Sequence, residues 1–144
     1  MHIKEVEQYT RVIIPNIEKE FGNPKNDPEG LLELYGLYVD ILRMVAPYDF
    51  ITFNKFLEID EDKKLTTKGF YHHRRNHIGE IFEALNDMEM YDKYDTLLIS
   101  LSPRVGKTTT GIRFLAWIIG RHPENTQLAT SYSDNITTSF YIGV

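Results

Sequence analysis

The sequence contains no cysteine. Disulfides, thiolate zinc sites and a cysteine nucleophile are therefore excluded, and the composition fits a reducing compartment. An apolar leader is not expected either, since Met1-His2-Ile3-Lys4-Glu5 puts charges where a signal peptide needs hydrocarbon. No apolar run comes near the roughly 20 residues of a membrane span. The expectation is a soluble, cytoplasmic chain with no membrane partner. Nor is there an excess of positive charge. Lys and Arg number 16 against 21 Asp and Glu, a formal charge of −5, so any contact with nucleic acid has to come from a local patch. Internal repeats and low-complexity tracts are absent as well.

What is present is core material. With 144 residues, 42% of them hydrophobic, and with nine Tyr and eight Phe, the chain is of one-domain size and can bury a real core. Residues 3–21 carry Ile3, Val6, Tyr9, Val12 or Ile13, and Ile17 near helical spacing, with Pro15 inside. Proline removes one ladder hydrogen bond and clashes with the preceding turn, which predicts a break or kink near Ile14. Gly22-Asn23-Pro24 closes this segment. Asp27 followed by Pro28 reads as N-cap and first helical residue of a second helix. Its apolar stripe of Leu31, Leu34, Tyr35, Tyr38, Ile41, Leu42 and Val45 runs to about Ala46, where Pro47 ends it.

From Tyr48 to Leu65 the periodicity weakens. Tyr48, Phe50, Phe53, Phe56 and Leu57 form an aromatic cluster whose plain reading is a staple of the N-terminal helices onto the sheet expected after them. Glu58, Asp60, Glu61 and Asp62 lack the glycine and closing glutamate of a calcium loop and read as a solvated turn. Thr66 and Thr67 are candidate caps for a helix from about Lys68 to Met88, with Ile78, Ile81, Phe82, Leu85 and Met88 on its apolar face. Its first turns hold a basic cluster of His72, His73, Arg74, Arg75 and His77. His73 and His77 give only two zinc ligands, without the glutamate of an H-E-x-x-H site. Arg74 and Arg75 suit a phosphate or DNA contact, and a solvated helix face is the plainer alternative.

The chain is organised around Thr96 to Thr110. Thr96-Leu97-Leu98-Ile99-Ser100-Leu101 reads as a strand buried on both faces of a parallel sheet. Ser102-Pro103-Arg104-Val105-Gly106-Lys107-Thr108-Thr109 then reads as a phosphate loop. Ile112, Leu115, Ala116 and Ile119 follow at helical spacing, in a helix from Thr108 to about Gly120 with Arg121 and His122 at its negative end. A strand, a Gly-Lys-Thr turn and a helix N-terminus are the parts of an anion site. Gly106 lets the backbone approach phosphate, Lys107 reaches the β- and γ-phosphates, and the Thr108 hydroxyl takes Mg²⁺. The full G-x-x-x-x-G-K-[ST] pattern is not met, because its first glycine falls at Leu101. Pro123-Glu124-Asn125 makes a turn, Thr126–Ser131 reads as a second strand joined by a right-handed crossover, and Asp134 caps a last helix.

The Pro103-Arg104-x-Gly106-Lys107-Thr108 core, with an arginine inside the loop, and Leu128-Ala129-Thr130-Ser131-Tyr132-Ser133-Asp134 resemble the ATPase domain of tailed-bacteriophage terminase large subunits. The resemblance extends more loosely to Tyr48-Asp49-Phe50 and to Phe70-Tyr71-His72-His73-Arg74-Arg75. No motif before about residue 45 carries it. It implies an ATP-driven motor that packages DNA into a procapsid, and an α/β fold. Residues 1–65 would be a helical N-terminal prelude. Residues 66–144 would be the first part of a P-loop, ASCE-type parallel-sheet ATPase domain, incomplete in this chain. ATP and Mg²⁺ are the implied cofactors, held by residues Ser102 to Thr109. Double-stranded DNA, a portal and a small terminase subunit are the implied partners of the parent, which would act as a homo-oligomeric ring in the cytoplasm of an infected bacterium. The aromatic segment before the loop would contribute to an adenine pocket.

Phosphoryl transfer asks mainly for positioning, Mg²⁺ and positive charge. Lys107, Thr108 and Arg104 supply these, Arg104 as a finger in cis or, more plainly, as an ordinary loop ion pair. No Asp or Glu after Lys107 follows an apolar strand, so the water-polarising carboxylate and the nuclease carboxylates of the parent are not among these residues. Two other classes remain open: a small P-loop kinase, and a non-catalytic module recognised by phage or host partners.

Overall fold

The computed structural model describes residues 1–23, 27–59, 70–93, 95–130, 135, 138 and 141–142. The chain forms two compact units, Met1–Arg75 and Asn76–Val144. The expectations for Asp60–Asp62, for the Thr66 and Thr67 caps, and for the Ser131–Asp134 motif lie outside the described residues.

In the first unit, α1 (Ile3–Gln8) runs through a π-helical turn (Tyr9–Ile13) into α2 (Ile14–Phe21). The Ile14 N–H donates to the Tyr9 carbonyl, one residue further back than in an α-helix. This widened turn stands immediately before Pro15. Its ring would collide with the carbonyl four residues back, and one extra residue in the ladder relieves that collision. The break expected near Ile14 is therefore a local widening.

Helix α3 (Pro28–Val45) starts as Asp27-Pro28 predicts, with Asp27 Oδ1 accepting from the Gly30 N–H at 3.0 Å. A 3₁₀ turn at Ala46–Tyr48 contains Pro47 and leads to α4 (Phe50–Leu57), which the weak periodicity there concealed. Asp49 caps α4: its Oδ2 accepts from the Thr52 N–H at 2.7 Å and from the Thr52 hydroxyl at 2.6 Å. Helix α3 packs on both α2 and α4. Val6, Ile14, Ile17, Tyr38, Ile41, Leu42 and Val45 form the core between them. Through its edge runs a shared acceptor. Glu18 Oε1 takes hydrogen bonds from the Tyr38 hydroxyl at 2.7 Å and from Lys55 Nζ at 2.8 Å, so one carboxylate joins α2, α3 and α4.

Helix α5 (Phe70–Tyr91) begins in this unit, and Glu58 caps it by accepting from the Tyr71 and His72 N–H groups. Glu58 thus leaves the solvated turn expected for it and satisfies a helix N-terminus instead. In the second unit Ile78, Phe82 and Leu85 are buried along the α5 face that periodicity marks. The helix stops where Asp92 takes a left-handed φ of 51°. Helix α6 (Lys107–Arg121) matches the helix expected after the loop and buries Trp117 and Ile118. Its C-terminus is tied to α5, since Arg121 Nε lies 3.2 Å and His122 Nε2 2.8 Å from Glu89 Oε1. Asn135, Thr138, Tyr141 and Ile142 are helical.

The α/β expectation is overturned. Among the described residues the regular elements are helices, and neither a strand nor a sheet is present; Ile59 makes one isolated bridge. The chain is a helical protein, not the start of a P-loop, ASCE-type parallel-sheet domain. Thr96–Leu101 and Thr126–Thr130, read as strands, take part in no ladder, and the crossover expected between them falls with it. Leu98 is 92% exposed and Leu128 85% exposed, so the apolar runs are not buried on both faces. The physical reason is that a strand is stabilised by pairing with a neighbour, and a short apolar run specifies hydrophobicity without specifying that neighbour.

Glu18 provides a stability test. Glu18→Ala strands the buried Tyr38 hydroxyl and should cost about 1–3 kcal/mol, whereas Tyr38→Phe removes the donor and should cost about 1 kcal/mol. Urea unfolding of both variants reads the difference, and equal costs would sink the shared-acceptor account. Asp49 provides a pH test. Burial pushes its carboxyl above the ordinary aspartate value, against the Thr52 hydrogen bonds and the Lys55 charge, which pull it down. The folded state then holds its proton after the unfolded chain has released one. Asp49 therefore makes stability fall as pH rises through the range just above the ordinary aspartate value. Subtracting the Asp49→Asn profile from the wild-type profile should isolate that downward slope; an upward difference would contradict it.

Candidate functional site: the loop at the start of helix α6

Two residues bend the chain into α6. Arg104 has φ 66° and Gly106, the N-cap, has φ 105° and ψ 19°. For glycine this conformation is free of Cβ strain. An L-residue such as Arg104 meets a cost of about 1–2 kcal/mol there. Strain of this kind concentrates at binding loops, and left-handed residues within a turn point backbone N–H groups toward a common concavity.

Helix α6 begins with Lys107, and its ladder opens with the Thr110 N–H donating to the Gly106 carbonyl at 2.9 Å. Gly106 has no side chain to cap the helix. Among the described residues the N–H groups of Lys107, Thr108 and Thr109 have no acceptor. No acidic residue stands in this first turn. The positive end of the helix dipole therefore meets no negative side chain from its own turn. Lys107 Nζ donates to the Leu101 carbonyl at 2.6 Å, closing the loop across its base.

The sequence-predicted residues all fall in this one turn. Ser102, Pro103 and Arg104 are exposed, Val105 and Gly106 are half-buried, and Lys107, Thr108 and Thr109 are exposed on the first turn of α6. The other candidates go elsewhere. Arg74 stacks over the Phe70 ring at 4.9 Å and donates to the Phe70 carbonyl, so its guanidinium is engaged locally. His72 gives its N–H to Glu58, and Arg75 and His77 are exposed. Among the described residues no three His, Cys, Asp or Glu come together as metal ligands. Asp92, Asp95 and Glu124 are exposed, and Asp134 lies outside the described residues. The Lys107–Leu101 bond was not legible in the sequence, because nothing in a side-chain pattern marks which carbonyl an ammonium will find.

No family model, no curated protein and no solved structure matches the chain. Among the described residues no helix is long and apolar enough to cross a membrane.

The two left-handed residues should respond in opposite directions. Gly106→Ala forces a Cβ into φ 105° and should cost about 1–2 kcal/mol, while Arg104→Gly relieves a similar cost. Thermal unfolding, with amide exchange in the first turn of α6, would show it. Destabilisation by both would mean that Arg104 contributes contacts outweighing its strain.

Proposed function

We propose that Ser102–Lys107 and the first turn of α6 hold the phosphates of Mg·ATP, and that the chain is the N-terminal part of a terminase-like motor that packages DNA. One observation carries the reading: a left-handed Gly106 opens a helix whose first N–H groups are unpaired and whose first residues are Lys107 and Thr108. The reading rests on the loop and helix and does not need a sheet. Lys107 would neutralise the β- and γ-phosphates, and Arg104, exposed on the loop, would add positive charge as negative charge develops. Mg²⁺ would supply further charge neutralisation, with the Thr108 hydroxyl as its protein ligand.

The wider assignment follows from the Pro103-Arg104-x-Gly106-Lys107-Thr108 resemblance. In that reading double-stranded DNA, a portal, a small terminase subunit and further copies in a ring are partners of the parent, in the cytoplasm of an infected bacterium. A nuclease in the parent would cut the DNA. A second reading, a non-catalytic binding module, draws support from the large apolar side chains of Leu98, Leu128, Tyr141 and Ile142, which are exposed in the second unit.

After Lys107 the sequence has only Glu124 and Asp134 as acids. Neither follows an apolar strand, so Mg·ATP should bind weakly and turn over near background. Titration calorimetry should find Lys107→Ala weakening Mg·ATP by at least about tenfold, the scale of one charge-assisted contact. Equal binding by Lys107→Ala would end the phosphate-loop reading. Robust phosphate release that vanishes in Lys107→Ala would instead indicate a complete small enzyme.

A further inference from the structure

A pocket of about 200 Å³ lies within the second unit, beside the loop and against the first turns of α6. Its wall is built by three periodicities. Lys107, Thr110, Gly111 and Phe114 are one helical stripe of α6, and Ile81 and Leu85 are one stripe of α5. Ile99 and Leu101 come from the segment before the loop, two residues apart, while Ser100 between them is exposed. The wall is thus mostly hydrocarbon.

Two polar groups interrupt it. Thr110 is only 4% exposed and lines the pocket. A hydroxyl in the wall of a largely apolar pocket can donate to or accept from an occupant. Lys107 is exposed, and its ammonium has three donors, of which Leu101 takes one. Both partners of that bond line the pocket, so positive charge stands at its edge.

We propose that this pocket binds a small amphipathic carboxylate, with its apolar body among Leu85, Ile99 and Phe114 and its carboxylate on Lys107 and Thr110. Size and chemistry select the class. A cavity of about 150 Å³ takes benzene, so this one takes a ring with a short arm. A purine or pyrimidine would bring several ring nitrogens and amines against a wall offering one hydroxyl, and their desolvation would go uncompensated. A neutral hydrocarbon would use neither the Thr110 hydroxyl nor the Lys107 charge. An arylalkyl carboxylate meets both conditions. The inference shares Lys107 with the nucleotide reading but does not depend on it.

The experiment uses the whole chain, with phenylacetate as the probe and 2-phenylethanol and acetate as the neutral and apolar-free arms. In ¹H–¹⁵N spectra the amides of Leu85, Ile99, Leu101, Thr110, Gly111 and Phe114 should shift together and saturably with phenylacetate, and not with acetate. Thr110→Val should weaken phenylacetate about fivefold, and Lys107→Gln about tenfold with 2-phenylethanol unchanged. Ile99→Trp, at a partly exposed wall position, should fill the space and abolish the response while the remaining spectrum stays folded. Non-saturating or scattered shifts, acetate acting as well as phenylacetate, or a phenylacetate affinity indifferent to both polar variants would overturn the proposal. Because the Thr110 N–H already donates to the Gly106 carbonyl and is not one of the groups offered to phosphate, Thr110→Val should leave Mg·ATP binding intact. Failure of the wild-type chain to bind phenylacetate while it binds Mg·ATP sinks the pocket alone. The reverse sinks the nucleotide reading alone.

Discussion

Helix α6 can start where it does only because the backbone passes through the left-handed region at Arg104 and again at Gly106. That constraint governs the second unit. It turns the chain into α6, whose Thr110, Trp117 and Ile118 are buried. The strain at Arg104 is offset by packing further along α6 and by the hydrogen bonds that fix its far end. There Arg121 lies over the Trp117 ring at 4.9 Å while Nε meets Glu89. The loop is thus held by its helix from behind and by the Lys107–Leu101 bond across its base.

The first unit solves a different problem with a different device. Its helices meet at a core that is apolar except where Tyr38 brings in a hydroxyl, and Glu18 supplies the acceptor that this burial requires. Burial, with Glu18 beside it, pushes the Tyr38 hydroxyl well above the usual tyrosine range, so it remains a donor. Lys55 on the same oxygen keeps Glu18 from standing as an uncompensated charge. Asp49 and Asn54 repeat the logic within α4, where each buried polar side chain finds a backbone or hydroxyl partner within four residues.

What could be read in advance follows the range of the interaction responsible. Asp27-Pro28, Pro15 and the stripes of α3 and α5 act within a turn or two, and the structure follows them; the stripe expected for α6 does not hold, since Ile119 is 38% exposed while Trp117 and Ile118 are buried. Gly106 and Lys107 are equally local, so the loop and the helix start fall where the pattern puts them. Thr96–Leu101 and Thr126–Thr130 failed because a strand is a statement about a partner elsewhere in the chain. Hydrophobicity at Leu97, Leu98 and Ile99 cannot say whether a neighbouring strand exists. Glu58 failed for a related reason. It caps α5 across more than a turn's separation, and its sequence neighbours are those of a solvated turn. The α4 helix was missed although Asp49 and Thr52, three apart, are a legible cap, because aromatic density masked a short period.

The absence of a ladder changes what a phosphate loop can do. In a loop fixed between a paired strand and a helix, the sheet holds the strand end, and the lysine is free to meet the ligand. Here the described segment before the loop has no such pairing, and the Lys107 ammonium itself spans to the Leu101 carbonyl. The group best suited to a phosphate is also the group that closes the loop. An ammonium has three donors, so an incoming phosphate can share it, but only with the geometry that Leu101 leaves. Any anion that draws Lys107 away must also offset the ordering that the Leu101 bond provides. If the loop holds phosphate as proposed, that recognition would be coupled to the position of Leu101, and through Leu101 and Ile99 to the apolar pocket they line. Occupancy behind the loop and charge in front of it would then act on one lysine.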